Sequence, residues 1–314
     1  MDSFAKLIGQ PQAVDLLNQA VAKNRIAPAY LFAGPNGVGR RLAAQCFTQL
    51  LFCQGLPTEK QQKIQKKLQD GNHPDLYWVE PTYLHQGKLL TAKEAAEAGL
   101  NRKAPPQIRI EQIREITRFL SRPPLETSRA VVVLSAAETM AEGAANALLK
   151  TLEEPGRATI ILIAPSAESL LATLVSRCQR IPFTSLSQTD LIQVLQNLGH
   201  EEILADEAVL AIAQGSPGEA ILAWEQLKQI PPELLTKLKQ LPKKPLDAFI
   251  FAQEINNELN TETQLWLINY LQYYYWNKFS QQRYLAQLEQ TRKSLLCYAQ
   301  PRLVWECTFL AMCQ

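Results

Sequence analysis

The sequence predicts an α/β fold in its first part, a parallel sheet with helices between the strands, followed by helices only. Uninterrupted apolar runs at 130–134 and 159–163 are typical of strands that are buried on both faces of a parallel sheet. A segment with helical periodicity lies between these two runs, as a connection between parallel strands requires. After Phe183 the strand signals stop, and the later segments have the apolar spacing of helices.

Changes in this pattern predict three domains. The sheet domain covers 1–184, a small helical lid covers 185–230, and an all-α collar for oligomerisation covers 231–314. Further strands of the sheet are expected at 30–33, 76–80 and 180–183. Residues 81–106 show no clear alternation, and we predict an irregular insertion there. We attribute the dense aromatic residues of the collar, at 266–276, to core packing and an oligomer surface.

Composition and charge exclude several classes of protein. The chain has 314 residues, of which 46% are hydrophobic, enough for two or three domains with sizeable cores. A formal net charge of +2 provides no strong long-range field, so charge alone does not indicate DNA binding. The six cysteines form no C-x-x-C pair, which favours reduced thiols in the cytoplasm. With no apolar run long enough for a membrane span and no targeting signal, we expect a cytoplasmic protein without membrane contact.

A glycine-rich loop directly after the first predicted strand has the frame of a phosphate-binding loop, G-x-x-x-x-G-K-[ST]. Gly34, Gly37 and Gly39 supply the frame, but Arg40 occupies the lysine position and Arg41 the position of the hydroxyl that holds magnesium. Arginine keeps the charge of lysine, but its guanidinium is planar and forked where lysine has a compact ammonium group. It cannot bind a magnesium ion. We predict a degenerate phosphate loop, and the sequence leaves open whether it still binds nucleotide.

The strand that should supply catalytic carboxylates lacks them. ATP-hydrolysing sheet domains carry acids here, one for magnesium and one to orient the attacking water. Ser135 and Ala136 follow the strand instead, and Glu138 is offset by a turn. Because the site lacks the lysine, the hydroxyl and both acids, we expect no hydrolysis in it.

Arg177, in Ser176-Arg177-Cys178, precedes the last predicted strand and would project from the edge of the sheet. An arginine supplied to a neighbouring molecule can neutralise charge on the γ-phosphate of ATP, a contribution of about 10³ to 10⁵ in rate. A structural surface ion pair is the alternative, because the tripeptide alone is unspecific.

Four segments, in this order along the chain, closely resemble bacterial clamp-loader AAA+ subunits. They are Gly34-Pro35-Asn36-Gly37-Val38-Gly39, His73-Pro74-Asp75, the block 145–155 (ANALLKTLEEP) and Ser176-Arg177-Cys178. The resemblance covers about 4–227 and implies an AAA+ sheet domain and lid, with the helical collar recognised by position only. It also implies gamma or tau and delta subunits, a sliding clamp and primed DNA as partners in DNA replication.

The resemblance assigns roles to individual residues. Arg177 corresponds to the arginine finger of the family, framed by Ser176 and Cys178, and acts on ATP held by the adjacent gamma or tau subunit. Arg114 corresponds to a position that contacts the DNA backbone. No cofactor of its own is implied. Family members usually have four zinc-binding cysteines, of which only Cys53 remains here, so we predict no zinc.

Three hypotheses about function remain open at this point. The first is a ring subunit that does not hydrolyse ATP and lends Arg177 to its neighbour. The second is an active AAA+ ATPase in which Arg40 replaces the lysine and Glu138 replaces the acid at the strand end. The third is a pure scaffold that neither binds nucleotide nor donates a catalytic group.

Overall fold

A computed structural model of the chain describes residues 3–100, 104–153 and 156–313. By its internal contacts the chain divides into two compact units, residues 1–185 and 186–314. The first unit contains a parallel sheet with helices, and the described part of the second contains helices and no strand. The predicted fold class, α/β followed by an all-helical region, is therefore confirmed. The division of the second unit into lid and collar stays a prediction.

The strands and helices of the first unit alternate along the chain. The described strands are β1 (Ala29–Ala33), β2 (Leu76–Val79), β3 (Thr82–His85), β4 (Lys88–Thr91), β5 (Ala130–Leu134), β6 (Ala158–Ala164) and β7 (Gln179–Pro182). The described helices are α1 (Pro11–Ala22), α2 (Arg40–Cys53), α3 (Thr58–Gln69), α4 (Ala92–Glu97), α5 (Ile110–Leu120), α6 (Glu142–Glu153) and α7 (Ala172–Val175). Glu154 and Pro155, the last two residues of the block 145–155, lie outside the described residues.

Five parallel strands form the central sheet in the order β2-β5-β6-β1-β7. Every residue of β5 and β6 is buried, as the apolar runs predict. On one face Leu148 of α6 belongs to the same core cluster as Val132 of β5. On the other face the ring of Phe47 in α2 lies 5.1 Å from that of Tyr30 and 6.4 Å from that of Phe32. Helices thus cover both faces of the sheet, which explains why the side chains on both sides of its central strands are apolar.

The insertion at 81–106 is not irregular, and our prediction was wrong there for most of its length. Strands β3 and β4 pair as an antiparallel hairpin, and the turn between them has positive φ at Gln86 (48°) and Gly87 (79°). Helix α4 then begins after Thr91, whose hydroxyl accepts a hydrogen bond from the Glu94 N–H while the Glu94 carboxylate accepts from the Thr91 N–H. Strands of four residues are too short to show a clear alternation. Residues 101–103 lie outside the described residues.

Asp75, in the His73-Pro74-Asp75 segment before β2, anchors the loop that leads into β5. Its carboxylate is buried and accepts hydrogen bonds from the backbone N–H groups of Leu125 (2.6 Å), Glu126 (2.8 Å) and Thr127 (2.8 Å), and from the Thr127 hydroxyl. Burial alone raises the pKa of a carboxyl group, but these hydrogen bonds outweigh it and hold the pKa of Asp75 below its usual value. The ionised carboxylate is therefore part of the folded state.

Asp75→Asn is expected to lower the free energy of unfolding by about 2 kcal/mol at pH 7, because the amide loses the charge and presents N–H groups to N–H donors. Since the pKa is lower in the folded chain, the advantage of the wild type is full above the unfolded value, near 3.8, and disappears as the pH falls through the folded value. Urea unfolding at pH 7 and at several pH values below the unfolded pKa of 3.8 measures this difference. Asp70→Asn, at an exposed position, is the matched control. A difference that does not shrink in acid would contradict the assignment.

The second unit is built from helices. The described ones are α8 (Gln188–Asn197), α9 (Glu207–Ala213), α10 (Pro217–Lys228), α11 (Pro232–Leu238), α12 (Pro245–Glu258), α13 (Thr261–Phe279), α14 (Gln282–Leu296) and α15 (Pro301–Met312). None of the helices in the described ranges is long and apolar enough to cross a bilayer.

One hydrophobic core in this unit takes side chains from before and after residue 230, for example Ala208 and Leu267. Two of its buried polar groups are hydrogen-bonded: Trp305 Nε1 donates to Gln264 Oε1 at 2.9 Å, and the Tyr275 hydroxyl donates to the Leu238 carbonyl at 2.7 Å. Most of the aromatic cluster at 266–276 is part of this core. Its predicted second role, as an oligomer surface, stays a prediction.

Candidate functional site

The glycine-rich loop lies between the carboxyl end of β1 and the first residue of α2, as the sequence predicts. Gly37 and Gly39 have positive φ values of 71° and 101°, which other residues rarely adopt. Gly34 packs against the backbone of Phe183, at a distance that leaves no room for a side chain. The frame of a phosphate loop is therefore present in its backbone and in its glycines.

Arg40 folds back on the loop. Its side chain is buried, and Nη2 donates a hydrogen bond to Asn36 Oδ1 within the loop. Burial lowers the pKa of Arg40, while the charge of Glu138 acts in the opposite direction. Arg40 Nη1 and Glu138 Oε2 are both buried, and neither has a hydrogen-bond partner among the described residues. The loop thus holds a cation of its own chain, and the offset acid Glu138 acts on that cation through space.

Arg41 points towards β2, an edge strand of the sheet. Its guanidinium forms an ion pair with Glu80 and lies 4.8 Å from the centre of the Trp78 ring. Trp78 Nε1 in turn donates to Ser135 Oγ at 2.8 Å, at the end of β5. This arrangement is not evident from the sequence, because Glu80 is 39 residues from Arg41 along the chain. The residue at the position of the magnesium-binding hydroxyl is therefore engaged in an ion pair.

Arg177 lies between α7 and β7 and is held by two contacts. Its Nε and Nη2 donate to Glu153 Oε1 at 3.1 and 2.8 Å, and Nη1 donates to the Thr173 carbonyl at 3.0 Å. The side chain is 38% exposed. A guanidinium has five N–H groups, so these contacts with the described part of the chain leave two, one on each terminal nitrogen. Arg177 is therefore held in place while it can still donate two hydrogen bonds to an external oxyanion.

Ser176 and Cys178 support the position of Arg177. The Ser176 hydroxyl donates to the Thr173 carbonyl at 3.1 Å, at the end of α7. Cys178 packs against the core of the first unit, and burial raises the pKa of its thiol to about 11. A thiol with this pKa is protonated near neutral pH and is not a nucleophile.

The loop and Arg177 lie at opposite ends of the sheet. The loop follows the carboxyl end of β1, whereas Arg177 precedes β7, which runs parallel to β1 with Tyr30 opposite Gln179. A strand of this length spans about 15 Å, so Arg177 cannot reach a phosphate bound in the loop of its own chain. The structure thus brings Arg40 and Glu138 near the loop and keeps Arg177 apart from them.

The remaining predicted residues have simpler surroundings. Arg114 lies on α5, and its side chain is exposed. Cys46 and Cys53 are buried in α2, and burial raises the pKa of Cys53. In the described ranges, no group of three or more His, Cys, Asp or Glu side chains could hold a metal ion.

Two families match the chain over adjacent segments. Residues 9–187 match the family described as DNA polymerase III, delta subunit. Residues 189–312 match the family described as cyanobacterial DNA polymerase III delta prime, C-terminal domain. The matches cover most of both units.

Similar proteins carry related names. The chain is 33% identical to DNA polymerase III subunit delta' of Bacillus subtilis over 180 residues, 56% of the chain and 48% of that protein. It is 30% identical to DNA polymerase III subunit delta' of Pseudomonas aeruginosa over 249 residues, 77% of the chain and 70% of that protein. The chain thus spans about half the length of the first relative and more than two thirds of the second.

A solved structure shares the fold. It is the crystal structure of a DNA polymerase III gamma subunit-related protein from Thermotoga maritima, with a TM-score of 0.55 and 17% sequence identity. The match covers 95% of the chain and 97% of that structure. This likeness concerns the fold alone.

Proposed function

The chain belongs to the family of DNA polymerase III delta-prime subunits, and from this premise we propose that it is a clamp-loader subunit that completes a neighbour's ATP site without hydrolysing ATP itself. Arg177 is the residue that it donates. The neighbour that holds the ATP is a gamma or tau subunit, and a delta subunit, the sliding clamp and primed DNA complete the set of proposed partners. Polymerase chemistry belongs to other subunits of the assembly.

One observation carries this proposal: Arg177 is exposed at the end of the sheet opposite the loop of its own chain, with two N–H groups left to donate. An arginine in this place cannot act on its own loop, but it can act on a triphosphate that another subunit presents to this edge. Two free N–H groups on adjacent nitrogens match the spacing of two phosphate oxygens.

The loop itself is unsuited to hydrolysis. Arg40 donates a hydrogen bond to Asn36 within the loop, and Arg41 forms an ion pair with Glu80. A nucleotide would need both contacts rearranged, and it would still find no hydroxyl for magnesium at position 41. Arg114, exposed on α5, is proposed to contact the DNA backbone in the assembled ring.

The purified chain is expected to show no ATP turnover above background, with or without magnesium, because its site lacks the groups that stabilise charge on the γ-phosphate. A sensitive assay of phosphate release on the isolated chain measures this.

The outcome also addresses a second candidate function, an active ATPase in which Glu138 serves as the strand-end acid. The buried, unpartnered oxygen of Glu138 near the loop favours that candidate. Magnesium-dependent turnover that Glu138→Gln abolishes would replace our proposal with it.

Glu153 is proposed to position Arg177, since its Oε1 accepts from both Nε and Nη2. Glu153→Ala is expected to lower turnover at the neighbour's site about tenfold, because an unrestrained guanidinium must be ordered when it binds phosphate. The measurement is single-turnover ATP hydrolysis by the reconstituted assembly. In Glu153→Ala/Arg177→Ala the loss should equal that of Arg177→Ala alone, because Glu153 acts through Arg177. Additive losses would assign Glu153 an independent, structural role.

A further inference from the structure

A separate surface of the second unit has the composition of a binding site. It is a cleft of about 540 Å³ between the end of α13 and the segment that joins α11 to α12. We call it the lysine cleft, and its lining residues are Gln240, Leu241, Pro242, Lys243, Lys278 and Phe279. Its volume lies within the range that is usual for sites that take small ligands or single large side chains. The cleft thus combines apolar surface with positive charge.

One carboxylate lies beside the lysine cleft: Asp247 Oδ2 accepts hydrogen bonds from the backbone N–H groups of Lys243 and Lys244, and it forms no ion pair with their side chains. Lys243 and Lys278 are exposed, as is the adjacent Lys244, and no acidic side chain of the described ranges forms an ion pair with any of them. Lys237 of α11 differs, because it is paired with Glu254 at 2.6 Å. Unpaired cations beside an apolar surface favour a ligand that carries both carboxylates and an apolar group.

The aromatic rings beside the cleft are already covered by lysines. Lys278 Nζ lies 5.3 Å from the centre of the Tyr274 ring and 5.4 Å from that of Phe279, and Lys239 Nζ lies 5.5 Å from that of Tyr274. Stacking of nucleic-acid bases needs open aromatic faces. The covered rings therefore favour an acidic peptide over a single-stranded nucleic acid, although both carry negative charge.

We propose that the lysine cleft binds an acidic peptide segment of a partner protein. One large apolar side chain of the peptide lies against Leu241, and flanking carboxylates pair with Lys243 and Lys278. The site is independent of Arg177 and of the phosphate loop, so it stands or fails separately from the function proposed above.

Fluorescence anisotropy with the full chain tests the proposal. The probe is a fluorescein-labelled peptide in which aspartates flank one phenylalanine, and we expect saturable binding by the wild type. Lys243→Glu/Lys278→Glu should weaken binding about tenfold or more, because attraction to the aspartates becomes repulsion. Peptides with asparagine for aspartate, or alanine for phenylalanine, should also bind more weakly.

Lys293→Glu, an exposed charge reversal on α14 outside the cleft, is the matched control and should leave binding unchanged. If the double variant unfolds, Lys243→Glu alone replaces it in the binding measurement. This single variant keeps the hydrogen bond from Lys278 Nζ to the Lys239 carbonyl. The proposal is overturned if the wild type does not bind the peptide or if Lys293→Glu weakens binding as much as the double variant. Tighter binding of oligothymidylate, lost in the double variant, would instead assign the cleft to nucleic acid.

Discussion

Arg177→Ala is expected to lower ATP turnover at the neighbouring subunit's site by about 10³-fold or more. The guanidinium is held at the edge of the sheet by Glu153 and Thr173, with two N–H groups left to contact a γ-phosphate. Alanine removes that charge at the moment when negative charge develops, and water cannot replace a positioned cation. The fold should survive, because the lost ion pair with Glu153 is exposed and contributes little to stability.

The measurement is single-turnover hydrolysis by a reconstituted loader in which only the ATP site beside this subunit is active. Arg177→Lys keeps the charge but not the planar fork, so we expect it to restore part of the rate at most. Arg180→Ala, an exposed arginine on the nearby strand β7, is the matched control and should leave the rate unchanged. If Arg177→Ala left turnover unaltered, the chain would be a pure scaffold and its ion pair with Glu153 a surface contact.

The parts of the fold that were predictable from sequence are those that local pattern determines. The apolar runs at 130–134 and 159–163 admit only a buried strand, and the spacing of Gly34, Gly37 and Gly39 identifies the loop. The hairpin of β3 and β4 was missed because each strand has four residues and neither is fully buried. The spacing of Thr91 and Glu94 matches a capping box, which is a local signal for the start of α4.

The identity of the candidate residues was predictable, but their surroundings were not. Arg177 is hydrogen-bonded to Glu153, which lies 24 residues earlier in the chain. Arg41 is hydrogen-bonded to Glu80, which lies 39 residues later. Contacts at such separations depend on where the folded sheet places the ends of its strands. The residues near Arg177 or Arg41 in the sequence do not determine those positions. The opposite positions of Arg177 and the loop also follow from strand direction, and they exclude action of Arg177 on its own chain.

The connection from β1 to the phosphate loop depends on the missing side chain of Gly34. A Cβ atom there would lie 2.2 Å from the carbonyl oxygen of Phe183 and 2.7 Å from its Cβ. Phe183 cannot move easily, because its N–H donates to the Ala33 carbonyl at 2.7 Å and its ring packs 5.3 Å from that of Phe32. The tight approach therefore joins the start of the loop to the residue that follows β7.

Gly34→Ala is expected to lower the free energy of unfolding of the first unit by about 3 kcal/mol or more, because backbone on both sides must shift. Urea unfolding, with hydrogen exchange followed in peptides from β1 and β7, separates this loss from any change in the second unit. Gly143→Ala is the matched control: it lies in helix α6, and an added Cβ there meets nothing within 4 Å. Alanine at 143 should raise stability by about 0.5 kcal/mol, because it favours the helix. Equal, small effects at both positions would mean that β1 and the segment after β7 do not pack as closely as described.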